Sequence, residues 1–174
     1  MANRERLRIV TLREKVESRL AGELAPGERV LDALVAFRTG GVRKTMVAGA
    51  AGIAGLAGAA GMALAARRGQ TEAPQVPIST PGRFVFSLTS HRVALFTVGG
   101  IVRAAPGKPL RSWTLDQLAW VSEPELNSGV AQALRGRIGV AGEGVLGYEF
   151  ARLQVDAGRS MIKRLARALQ ELES

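Results

Sequence analysis

Apolar residues recur at three- and four-residue steps near the start of the chain. Ile9, Leu12, Val16, Leu20 and Leu24 fall on one face of a helix predicted over residues 3–24. Asn3 would cap it, Arg13 and Glu17 would pair across one turn, and Pro26-Gly27 would end it. Packing on a domain or in a short coiled coil suits this helix better than an anionic membrane surface, which would repel Glu5, Glu14, Glu17 and Glu23. In residues 28–37, Val30, Leu31, Leu34, Val35 and Phe37 supply apolar bulk with imperfect alternation. A strand and a short helix both fit, and Gly40-Gly41 breaks either.

Residues 45–66 then hold no charged group, and 15 of the 22 are Gly or Ala. As a helix the run would be about 33 Å long, enough for a hydrocarbon core of about 30 Å. Arg43-Lys44 and Arg67-Arg68 bracket it as interfacial contacts for an anionic surface. Met46, Ile53, Leu56 and Leu64 share one sector of such a helix. The opposite side carries Ala48, Ala51, Gly52, Gly55, Gly58 and Ala59, with Met62 as the exception. Small residues four apart let two helix backbones approach closely, so helix packing and self-association are expected of the same segment. Its drive into lipid is weak, because Gly and Ala bury little area; a low-complexity insert is the alternative.

Pro74, Pro77 and Pro81 mark residues 69–82 as a linker. Strands are predicted at 83–88 and 92–98, joined around Thr89-Ser90-His91, with a turn at Gly99-Gly100 and a loop over 104–109. Leu115, Leu118 and Val121 suggest a helical turn leading into a strand. Further short strands are predicted at 130–134, 137–141 and 145–153, separated by glycines. A closing helix spans residues 157–172, capped by Asp156. Met161, Leu165, Leu169 and Leu172 form its apolar stripe, Ile162 and Ala166 widen it, and Lys163, Arg164 and Arg167 form a solvated face.

Composition narrows the chemistry. The net charge of +9 is spread along the chain and suits either a solubilising surface or contact with lipid headgroups or nucleic acid. With aromatics at 5%, nucleic acid is the weaker reading, because bases would find few stacking platforms. Zero Cys excludes disulfides and thiolate chemistry. The single His91 sits in a predicted turn and cannot form a metal site without a second ligand, and any Ser/His dyad must use it. No phosphate loop or nucleophile elbow is present. Asp116, Glu123, Glu125, Glu143 and Glu149 show no acid/base spacing and read as surface or turn groups, while Trp113 and Trp120 read as core or rim. No catalytic, cofactor or metal residue is therefore expected, and the protein is read as a non-enzyme.

The order of elements suggests a partly open barrel plugged by the terminal helix. Leu24-Ala25-Pro26-Gly27-Glu28-Arg29-Val30-Leu31 resembles the opening strand of bacterial PH-like (pleckstrin-homology-like) domains. Phe86-Ser87-Leu88-Thr89-Ser90-His91-Arg92-Val93-Ala94-Leu95-Phe96 resembles their hairpin, and Leu115-Asp116-Gln117-Leu118-Ala119-Trp120-Val121 a later strand. Some actinobacterial proteins of this kind carry a Gly/Ala-rich apolar insert after the first strand. The resemblance covers about 115 residues. It implies an α+β, mainly β fold with about seven strands and a capping helix, and a binding or scaffolding role. It does not extend to phosphoinositide binding. Lipid-binding eukaryotic PH domains carry a basic cluster within the first strand pair. Here Arg38, Arg43 and Lys44 are followed by the insert, and nothing matching appears across residues 83–92.

The expected layout is an N-terminal helix over 1–25, a first strand over 26–41, the apolar helix over 42–68, a linker over 69–82 and the rest of the domain over 83–174. The expected function is a membrane-associated interaction module at the bacterial cytoplasmic membrane, with the domain in the cytoplasm, a lipid surface as partner and a protein partner unspecified. A soluble oligomeric adaptor and a basic nucleic-acid binder are the alternatives. One conflict is visible. Pairing of 28–37 with 83–88 sets both ends of the insert on one side of a bilayer, whereas a single span sets them on opposite sides. A re-entrant hairpin, a non-spanning helix, or a span with residues 1–43 across the membrane would each resolve it, and a membrane-embedded or single spanning helix ranks first on length and flanks. Arg43-Lys44 with Ala63-Leu64-Ala65 also resembles a degenerate twin-arginine export signal, against which the Lys and the long charged leader argue.

Overall fold

The computed structural model describes residues 9–41, 63–66, 73–128 and 131–174. In chain order these form helix α1 (Leu12–Leu20) and strands β1 (Val30–Phe37), β2 (Ala63–Ala66), β3 (Arg83–Thr89), β4 (Arg92–Gly99) and β5 (Ala105–Thr114). Strands β6 (Leu118–Ser122), β7 (Glu125–Asn127), β8 (Ala133–Val140) and β9 (Gly144–Ala151) follow, and helix α2 (Val155–Glu171) closes the chain. The fold is α+β and mainly β. An open antiparallel sheet runs β2-β6-β8-β9-β1-β3-β4-β5, and β7 shares the edge of β8 with β6.

The core lies between one face of this sheet and α2. Met161, Ile162, Leu165 and Leu169 of α2 are fully buried against Phe86, Leu134, Tyr148 and Phe150. The rings of Phe86, Tyr148 and Phe150 stand 5.2 to 6.0 Å apart. On the other face of β1, β3 and β4, Val16 and Leu20 of α1 cover Val85, Ala94 and Phe96. Strand β3 is thus buried on both faces, which is why it reads as a continuous apolar run rather than an alternation.

Several expectations change. Helix α1 is shorter than predicted. Its cap is Thr11, whose Oγ1 accepts from Glu14 N–H while Glu14 Oε2 accepts from Thr11 N–H. Ile9 and Val10 stand outside it and are exposed, and Asn3 lies outside the described residues. Residues 105–109, expected as loop, open β5. Its Pro106 and Pro109 are tolerated because β5 ends the sheet and pairs only with β4. The strands expected at 130–134 and 137–141 are one strand, β8, running through Gly136. Asp156 is not the cap of α2 but lies in its first turn, and Leu172 is half exposed rather than part of the buried stripe. Arg164 is not simply solvated, since its Nη1 stands 3.0 Å from Asp32 Oδ2 of β1. Burial nevertheless pushes the Asp32 carboxyl up, with Arg164 and Arg13 offsetting part of that.

Residues 63–66, expected as the end of the apolar helix, form β2 against β6, with Ala65 opposite Val121. The pairing supplies β6 with a neighbour on an edge that would otherwise leave backbone groups without partners. Within the expected linker, Ile78 N–H donates to Val145 O at 2.9 Å and Val145 N–H to Val76 O at 2.8 Å. Residues 76–78 therefore run along β9 beyond the end of β1.

One buried carboxylate joins α1, β1 and the β3–β4 hairpin. Glu28, with its side chain 2% exposed, accepts from Ala25 N–H (2.8 Å), Thr89 Oγ1 (2.7 Å) and Arg92 Nε (2.8 Å). Burial raises its pKa, but these donors outweigh burial and hold it below the usual value near 4.5. A lowered native pKa contributes stability that is complete above the unfolded value and is lost as pH falls through the native one. Glu28→Gln is expected to cost about 1–2 kcal/mol at neutral pH. It should also flatten the loss of stability below about pH 4.5. Urea unfolding on both sides of that pH checks this, and an unchanged acid limb contradicts it.

Candidate functional site

The site begins where β1 ends. Phe37 pairs with Arg83, the first residue of β3, and Arg38 N–H donates to Gly82 O at 3.1 Å. Gly41 and Gly82 thus lie side by side at the end of β1, and the tract, which departs here, returns to the same sheet as β2 on the outer edge of β6. Phe37, Arg38, Thr39, Gly40, Gly41, Gly82 and Arg83 line a cleft of about 360 Å³ at the end of β1. Arg38 and Arg83 are exposed on its rim. These two residues lie 45 positions apart in sequence, and only the β1–β3 register brings their backbones to one end of the ladder.

The root of the tract is fixed from below. Gly40 N–H donates to Glu149 Oε1 at 2.7 Å, and Gly40 takes φ +83°, where a side chain would be strained. Glu149 is buried, with its side chain 2% exposed, and lies directly across the ladder from Arg135. Arg135 Nε and Nη2 both reach Glu149 Oε1, at 2.8 and 2.7 Å. A carboxylate expected on the surface is therefore buried and holds the backbone at which the tract departs. A hint was present in the sequence. A hairpin turning over residues 141–143 sets Val140 opposite Gly144 and hence Arg135 opposite Glu149. The burial of that pair carried no local signal.

The residues singled out in the tract, Met46, Ala48, Ala51, Gly52, Ile53, Gly55, Leu56, Gly58 and Ala59, lie outside the described residues, as do Arg43, Lys44, Arg67 and Arg68. Leu64 belongs to β2. Among the described residues no helix is long and apolar enough to cross a membrane. The arrangement with residues 1–43 across a bilayer from the domain is overturned, because β1 is paired along its length with β3.

His91 lies in the β3–β4 turn, at the opposite end of β3 from the cleft. Its Nδ1 is 2.8 Å from Ser90 Oγ, which also accepts from Arg29 N–H at 3.2 Å. This is an exposed contact between sequence neighbours, and it reads as a turn contact. Trp113 is buried and its Nε1–H donates to Glu143 Oε2 at 3.0 Å, which ties β5 to the β8–β9 turn. Among the described residues no cluster of three His, Asp or Glu could hold a metal ion. No family model matches this chain, and none of the curated proteins matches it.

Proposed function

We propose that this protein is a non-catalytic, membrane-associated interaction module, in which a PH-like sheet presents the Gly/Ala-rich apolar tract to a lipid bilayer from one end. The strand order supports the PH-like part of this reading. Strands β1, β3, β4 and β5 form one meander, and β6, β8 and β9 form a second. The second joins the first where β9 meets β1, and a terminal amphipathic helix packs against one face of the sheet. Strands β2 and β7 are additions to that plan.

The observation that carries the functional part is that both ends of the tract belong to one sheet. An uncharged run framed by cationic pairs, departing beside Arg38 and returning to the same sheet at β2, is disposed to meet a bilayer from one side. In this reading the tract returns to the side it left, so it crosses an even number of times or not at all. The whole described domain then stays on one face, which we place in the cytoplasm.

Vesicle flotation of the full chain tests the reading, beside a variant with residues 45–62 replaced by an equal length of Gly and Ser. The full chain is expected to float with anionic vesicles and to resist a high-salt wash, while the variant stays at the bottom of the gradient. A full chain that remains at the bottom sinks the proposal, and so does a variant that floats equally well.

A further inference from the structure

We infer that the tip of the β4–β5 hairpin, Ile101-Val102, is a wedge that inserts into an anionic bilayer beside the root of the tract. The inference rests on the membrane reading above and names a second point of contact. Ile101 and Val102 are the most exposed aliphatic pair among the described residues, at 105% and 92% of full exposure. The tip is held outward by its turn. Gly100 takes φ +85°, and a Cβ there would collide with the carbonyl of Arg103.

Register places this tip at the same end of the β1–β3–β4 ladder as the cleft. Phe37 pairs with Arg83, Phe84 with Thr97, and Gly99 with Ala105. Helix α1 points the same way. Lys15 Nζ donates to Ala104 O at 3.0 Å, while Glu23 O near the other end accepts from Arg92 Nη2 at 3.0 Å. The exposed Ile9 and Val10, just before α1, therefore project toward this end as well.

The charge around the tip suits lipid phosphates. Arg103 and Lys108 are exposed beside the tip, and residues 99–110 contain no acidic group. Glu14 of α1 is engaged with Thr11. The shape selects a bilayer over a protein partner. A convex tip of two aliphatic side chains buries far less than the roughly 800 Å² that each side of a stable protein interface supplies. A fluid acyl layer closes around such a tip without needing a matching pocket.

The absence of native cysteine allows a clean test. An environment-sensitive fluorophore is placed on Val102→Cys, and on Leu153→Cys as an equally exposed control on the link into α2, 98% exposed. Both labelled full-length proteins are mixed with vesicles of phosphatidylcholine and phosphatidylserine. The expected result is a blue shift, with quenching by acyl-chain spin labels, at 102 and none at 153. Partitioning of the unlabelled Ile101→Asp/Val102→Asp variant should fall about tenfold. A chain that floats with these vesicles while the probe at 102 stays aqueous overturns the wedge and leaves the tract-based reading standing. A chain that does not float overturns both. A wild type that elutes as a dimer, a double variant that elutes as a monomer and equal vesicle binding by the two assign the tip to a second copy, against the proposal.

Discussion

Arg135→Ala is expected to destabilise the protein by about 3 kcal/mol, more than Glu149→Ala does, although Arg135 is the more exposed partner. The asymmetry follows from burial. The Glu149 side chain is 2% exposed and that of Arg135 38%. Removing Arg135 strips the guanidinium from a buried carboxylate that water cannot reach. Removing Glu149 leaves a guanidinium that water can solvate and a Gly40 N–H without its acceptor, a loss of about 2 kcal/mol. Neutralising the carboxylate in the first background should recover about 1 kcal/mol, so Arg135→Ala/Glu149→Gln is expected to be more stable than Arg135→Ala alone. Denaturant unfolding of the four proteins completes the cycle. An Arg135→Ala variant within about 1 kcal/mol of wild type would show that Glu149 does not depend on its partner. Because Glu149 holds Gly40 at the root of the tract, the same variants should show faster amide exchange at Gly40 than at Phe84 in the middle of the core.

The second large effect is expected at Gly158 in α2. Ala is favoured over Gly inside a helix by about 1 kcal/mol, so propensity alone predicts that Gly158→Ala stabilises. Packing predicts the reverse. A Cβ at 158 would collide with Phe150 Cδ2 and stand 2.9 Å from Cγ. Phe150 cannot give way easily, since its ring is fully buried between those of Phe86 and Tyr148. Overpacking at such a site costs about 1–3 kcal/mol. Gly158→Ala is thus expected to be destabilising by about 1 kcal/mol net. Gly158→Val adds two more carbons and a β-branch, and should cost about 3 kcal/mol or more as α2 is levered off the sheet. Thermal unfolding decides the sign, and a Gly158→Ala protein that melts above wild type would mean that the helix can shift at no cost.

How far the sequence could be read varied with the range of the interaction. Strands β3 and β4 were legible as apolar runs bounded by turn residues, and helix α2 by the period that its one buried face leaves in a short window. Strand β5 was not, since Pro106 and Pro109 signal a break unless the strand is known to lie at the edge of the sheet. Gly136 read as a gap between two strands. In the fold a Cβ there would collide with the Tyr148 hydroxyl, a residue twelve positions further on. Ile9 and Leu24 carry the apolar spacing of α1 past both of its ends, whereas the Thr11–Glu14 capping box starts the helix at Leu12. Of the candidate site, the tract and its basic flanks stood out by composition. Glu149, Arg135 and Gly40 did not, because nothing near each of them in sequence marks it as buried.

The local facts are written in the order of residues. That order specifies which stretches are apolar on one face, which turns need glycine, that α2 has a stripe to bury, and that one uncharged tract interrupts a β-rich chain. Long-range packing set the rest: that Arg38 and Arg83 line one cleft, that Glu149 is enclosed with Arg135, that Ala63–Ala66 pairs with β6, and that Ile101-Val102 shares an end of the ladder with the point where the tract departs. Periodicity reports the surroundings of a residue averaged over its own helix or strand. Register is fixed by the summed packing of residues far apart in the chain, and it is register that brings charges, glycines and exposed tips to one place.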